Sequence, residues 1–145
     1  MQASRLRSQV MYSENVNVKR NWELCPRGAE ESRWTSMYAS INTYGDIIIS
    51  RVTHEALGRP EAYQLLFDRE RDVIGLRPAR IGVDSHAFPA RTRGRHGGQR
   101  IRGHKMIREF GIYLDATRVF HRCQMDNQGV LILDLKDSRT ISSKR

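Results

Sequence analysis

Cysteine is almost absent from this chain: Cys25 and Cys123 are the only two. That is too few for a disulfide framework, and their spacing matches no zinc motif, so a reducing, cytoplasmic setting is expected. No run of about 18 apolar residues occurs, which excludes a membrane-spanning helix. The opening Met-Gln-Ala-Ser-Arg-Leu-Arg has basic residues but no apolar core of a secretory signal. Catalytic signatures are missing too. There is no Gly-x-Ser-x-Gly, no Walker loop, no His-Glu-x-x-His and no dinucleotide glycine pattern. The one local cluster, His121-Arg122-Cys123, would put two side chains about 7 Å apart on one strand face with no third ligand. A non-catalytic protein without cofactor or metal is the expectation.

The most telling absence is local. Between Ser85 and Arg108 there is no acidic residue, while Arg91, Arg93, Arg95, Arg100, Arg102, Lys105 and Arg108 accumulate beside His86, His96 and His104. The net charge of +9 is concentrated there. Residues 1–35 carry 6 basic against 4 acidic side chains, residues 36–84 carry 6 against 7, and residues 85–145 carry 13 against 5. A polyanion is the natural partner of such an island.

Spacing adds to charge. If Phe88 to Arg95 is extended, Arg91, Arg93 and Arg95 share one face, and Phe88, Ala90 and Thr92 take the other. Neighbouring arginines on that face lie roughly 6.6 Å apart, far enough for each to meet its own phosphate. After a turn at His96-Gly97-Gly98, Arg100 and Arg102 flank Ile101. The expected object is a two-stranded ribbon with a row of guanidinium groups outside, able to bind phosphate or read guanine in a groove of duplex DNA.

What is present elsewhere is a repeated order. Met37-Ala39-Ile41 leads to Gly45, then Ile47-Ile48-Ile49, a helical segment Val52 to Leu57, Gly58, and strand-like Tyr63 to Phe67. Phe88 to Arg93 leads to Gly98, then Ile101, a helical segment His104 to Phe110, Gly111, and strand-like Val119 to Met125. In both, the helix-ending glycine stands 13 positions after the turn glycine. Each unit closes with a further strand, Val73 to Leu76 after the turn at 68–72 and Val130 to Leu135 after Asp126-Asn127-Gln128-Gly129. Ser50 is the expected cap of the first helix, and Gly58 with Arg59-Pro60 its stop. Helices of two turns cannot stand alone, so each must pack on strands. The expected fold is α+β and β-rich: two pseudo-repeated strand-strand-helix-strand-strand units. They divide the chain into an extension (1–35), a first repeat (36–84), a second, basic repeat (85–136) and a polar, basic tail (137–145) expected to fray.

The run Ile41-Asn42-Thr43-Tyr44-Gly45-Asp46-Ile47-Ile48-Ile49-Ser50, with Glu55-Ala56-Leu57-Gly58 and the strand ending Val73-Ile74-Gly75-Leu76, resembles the swapped-hairpin AbrB, SpoVT and MazE group. The likeness spans about 40 residues and, more loosely, Phe88 to Leu135. It implies an interlocked swapped-hairpin barrel and a prokaryotic, DNA-binding transcriptional regulator or antitoxin-like protein. Departures from the pattern are specific: Asp46 stands where the group has a basic residue, Ser50 where it has proline, and His54 and Glu55 at basic helix positions. In the second unit Gln99 follows the turn glycine, Gly103 replaces proline, and Arg108 keeps one basic helix position. The resemblance thus implies a structural first repeat and a binding second repeat, with one chain supplying both halves of the barrel; a homodimer or higher oligomer stays open.

Two alternatives remain. One is a single-stranded nucleic-acid binder that adds Tyr38 or Tyr44 for stacking. The other is an interaction or assembly module whose basic face meets an acidic protein partner. Trp22 and Trp34, in the extension, are expected to cover the edge of a core.

Overall fold

The alternation of Ile47, Ile48 and Ile49 sets the centre of the sheet, because Ile47 and Ile49 are buried while Ile48 is half-buried on the opposite face. The structure, a computed structural model, describes residues 16–25 and 37–141. Ten strands occur among them: β1 (Ala39–Ile41), β2 (Asp46–Ile49), β3 (Ala62–Asp68), β4 (Val73–Ala79), β5 (Phe88–Arg93), β6 (Gly98–Arg102), β7 (Thr117–Phe120), β8 (Gln124–Met125), β9 (Leu131–Asp134) and β10 (Arg139–Ile141). Two short helices join them, α1 (Arg51–Ala56) and α2 (His104–Phe110). The strands form one sheet in the order β10-β7-β1-β2-β6-β5-β3-β4-β9-β8, and every pairing is antiparallel. The sheet is not closed, since β10 and β8 are not paired with one another. A β-rich α+β fold follows.

Register assembles the core row by row. Ile41 faces Ile47, Ile47 faces Ile101, and Ile101 faces Ala90, so one apolar row crosses four strands. A second row runs Phe67, Ile74, Leu133, and a third Leu65, Leu76, Leu131. All belong to a single hydrophobic cluster, which Met106, Ile107 and Phe110 of α2 and Leu57 after α1 also join. Pro78 sits in β4 beyond the stretch that pairs with β9, where its missing N–H leaves no ladder bond unmade on that side.

Local chemistry fixes the helices. Ser50 caps α1, its Oγ accepting from Thr53 N at 3.2 Å. Thr53, fully buried, accepts from Tyr38 N at 2.9 Å and donates to Tyr38 O at 3.2 Å, tying the helix to the segment before β1. Gly111 ends α2 in the left-handed region at φ 66°. Gly45 and Gly103 pack backbone to backbone: Gly103 N donates to Gly45 O at 2.9 Å, and a Cβ on Gly103 would lie 2.7 Å from that oxygen.

Three expectations need correction. The strand expected over Val119 to Met125 is broken at residues 121–123, so His121 is exposed and Cys123 buried, and they share no face. The C-terminal segment does not fray at residue 137: after a 3-10 turn (Leu135–Asp137), Arg139–Ile141 pair with β7. Trp22 is 85% exposed and covers no core edge, whereas Trp34 lies outside the described residues.

Candidate nucleic-acid interface

The β5–β6 hairpin carries the basic island, and its register decides which side chains meet. Arg91 stands directly opposite Arg100, Thr92 opposite Gln99, and Arg93 opposite Gly98. Since β2 pairs with β6, Ile48 lies beside Arg100 and Asp46 beside Arg102. Arg91, Arg93, Arg100 and Arg102 therefore occupy the outer face, while Ala90 and Ile101 turn inward. Thr92 is on the inner face yet exposed, because the hairpin tip projects past the core; Gln99 Nε2 meets its Oγ1 at 3.3 Å.

Arg95 is placed differently from the expectation. Strand β5 ends at Arg93, and the turn occupies residues 94–97 rather than His96-Gly97-Gly98. The cause is backbone conformation: Gly94 and Gly97 both adopt positive φ, 77° and 79°, so the chain reverses between them. Arg95 is thus a residue of the tip, outside the strand alternation. Lys105 and Arg108 lie beyond Gly103 on the exposed side of α2, lining a shallow cleft with His104 and Glu109.

Two grooves mark the outer face. Phe88, Pro89, Arg91, Arg100 and Arg102 line the first. The second, around the tip, includes Arg93, Arg95, His96, Tyr38, Ile48 and Arg51. Arg51 is the addition that local sequence reading missed. It starts α1 in the first half of the chain, and its side chain packs so closely on the tip that a Cβ at Gly97 would lie 2.8 Å from it. Only the β2–β6 pairing brings it there. Its charge is shared with Glu55 at 3.2 Å.

None of Arg91, Arg93, Arg95, Arg100, Arg102, Lys105 and Arg108 forms an ion pair among the described residues; the pairs present involve Arg51, Arg59, Arg71 and Lys136. Two guanidinium groups directly opposite on one face repel, an arrangement that weakens a bare hairpin. It becomes favourable when anions lie over it. The first hairpin contrasts with this, presenting Ser40, Ile48 and Asp46 on the same outer face.

His54, on α1, faces inward. Its Nδ1 lies 2.8 Å from the hydroxyl of buried Tyr63. Burial lowers the His54 pKa, Arg59 adds to the lowering and Glu55 opposes it. Burial likewise raises the Tyr63 hydroxyl, so the pair stays neutral. Burial pushes the Cys123 thiol up to about 11, an inert rather than a nucleophilic setting. No group of three metal-ligating side chains occurs among the described residues, and no helix among them is long and apolar enough to cross a membrane.

Compared with protein-family models, curated proteins and solved structures, the chain has no significant match.

Proposed function

We propose that the protein binds nucleic acid, duplex DNA in preference, as a non-catalytic regulator of transcription or an antitoxin-like protein, through the arginine-rich β5–β6 hairpin. The observation that carries this reading is the facing pair Arg91 and Arg100, extended by Arg93 and Arg102 on one outer face, with no ion pair to a carboxylate among the described residues. Arg95 at the tip and Lys105 and Arg108 on α2 contact flanking phosphates.

We further propose that the chain is a tandem of one strand-strand-helix-strand-strand unit, folded as an interlocked swapped-hairpin barrel. Reciprocal pairing supports it: β2 pairs with β6, the equivalent strand of the other unit, while β1 pairs with β7 and β5 with β3. The helix starts are reciprocal too, Arg51 packing on the Gly97 turn and His104 Nδ1 meeting Tyr44 O at 3.3 Å. Continuity supports closure, since β7 and β8 are joined through residues 121–123, and β10 and β9 through 135–138, although these pairs stand at opposite ends of the strand order. In this reading one chain supplies both halves, and only one hairpin is a binder.

The test is a mobility-shift titration at several ionic strengths, comparing the native chain with Arg93→Ala/Arg95→Ala/Arg100→Ala. Neutralising about five phosphates gives a slope of roughly −4.5 in log affinity against log salt. Equal retention by the two proteins would reject the site. A second reading, single-strand binding, draws on Tyr44, 72% exposed on the first hairpin turn. Competition between single-stranded and duplex oligonucleotides separates the two, and pull-down after nuclease treatment separates both from an acidic protein partner.

A further inference from the structure

On another part of the surface, Arg69, Arg118 and Lys136 line one cleft against a single lining carboxylate, Asp72. Its walls are aromatic: Phe67 and Phe110 pack with ring centroids 5.4 Å apart, and Tyr113 stands 84% exposed. Three chain segments distant in sequence converge there, so the composition of the cleft is a product of tertiary folding.

The cations are unequally occupied. Lys136 is held by Asp134 at 2.9 Å and also donates to the Arg71 carbonyl. Arg69 donates to Phe110 O at 3.2 Å and lies over the Phe110 ring, 5.5 Å from its centroid, without a carboxylate partner among the described residues. Arg118 donates one N–H to Ser138 Oγ at 3.1 Å, while its Nε is buried without a hydrogen-bond partner. A buried donor of a charged group without an acceptor is costly and leaves the Arg118 charge incompletely compensated, which favours an anion beside the part of Arg118 that lines the cleft. The aromatic walls accept a flat apolar body, and the guanidinium groups of Arg69 and Arg118 fit a planar carboxylate or a phosphate by paired N–H donors.

We propose that this cleft is a binding site for a small organic anion carrying a flat ring, whose carboxylate or phosphate meets Arg118 and Arg69 and whose ring lies against Phe110 and Tyr113. The site is separate from the β5–β6 hairpin and stands or falls without it. Because Phe110 and Gly111 at the end of α2 form part of the wall, occupancy also reaches the helix that carries Lys105 and Arg108.

The test follows amide chemical shifts of the full chain by NMR during titration at constant ionic strength with benzoate, phenyl phosphate, inorganic phosphate and neutral benzyl alcohol. Saturable shifts in residues 110–118 and 135–136 are expected with benzoate or phenyl phosphate. The better of these two identifies the anion, and binding by the other two compounds should be about ten-fold weaker or more. Arg69→Gln and Arg118→Gln should each weaken binding of that probe by about ten-fold. If Arg118→Gln fails to fold, Arg69→Gln decides alone, since Arg69 is exposed. Non-saturating shifts with both aromatic anions, equal affinity for benzyl alcohol or inorganic phosphate, or native affinity in Arg69→Gln would each overturn the proposal.

Discussion

Thr53 shows how much one hydroxyl can hold. Its side chain satisfies both backbone groups of Tyr38 and lies 2.8 Å from the capping Ser50 hydroxyl. Thr53→Val keeps the shape but leaves Tyr38 N without this acceptor, so a loss of about 1–3 kcal/mol is expected in urea unfolding. His54 supplies a pH effect. Its folded pKa lies below the unfolded value near 6.5, so the unfolded chain binds more protons in that window and stability falls as pH drops below about 6.5. Melting His54→Gln beside the native chain between pH 5 and 8 should show a shallower decline in the variant. Gly103→Ala should destabilise by about 1–3 kcal/mol, because its Cβ would meet the Gly45 carbonyl, a backbone atom that cannot swing aside.

For the elements, the proposed binding role of the β5–β6 hairpin sets stability against binding. Arg91→Thr removes one of two facing like charges and places a β-branched residue in the strand. A gain of about 0.5 kcal/mol in thermal stability of the free protein is expected, together with weaker DNA retention. A drop in both would mean that Arg91 serves the fold and not a ligand. The helices were legible as elements because their signals are local: the Ser50 cap, the apolar stripe of Met106, Ile107 and Phe110, and the closing glycines all act within a few residues. The break between β7 and β8 was not legible, since Val119 to Met125 alternates well enough for one strand. What interrupts it is a change of partner, β1 and β10 on one side of residues 121–123 and β9 on the other. The same holds for Arg139–Ile141, whose polar sequence is a strand only because β7 offers an edge.

Across the whole molecule, charge is asymmetric between two hairpins that share one sheet. The outer face of β1–β2 is neutral or acidic and that of β5–β6 is basic, while β2 and β6 are hydrogen-bonded neighbours. A bound duplex would therefore be held off centre, over β5 and β6. Adding one negative charge to the neutral hairpin, Ser40→Glu, should weaken binding less than removing one positive charge, Arg100→Gln, in the same mobility-shift assay, although both residues lie in one cross-strand row with Ile48.

Sequence by itself determined the two helices, the strands that lead into and out of them, and the side of the hairpin on which Arg91, Arg93, Arg100 and Arg102 lie, because alternation and turn chemistry act over a few residues. Only the tertiary structure decided that Arg51 reaches the hairpin tip, that Arg95 leaves the strand row, and that Arg69, Arg118 and Lys136 share a cleft. Those outcomes depend on which strands pair and in what register, a choice made by burial of the common core rather than by any local pattern.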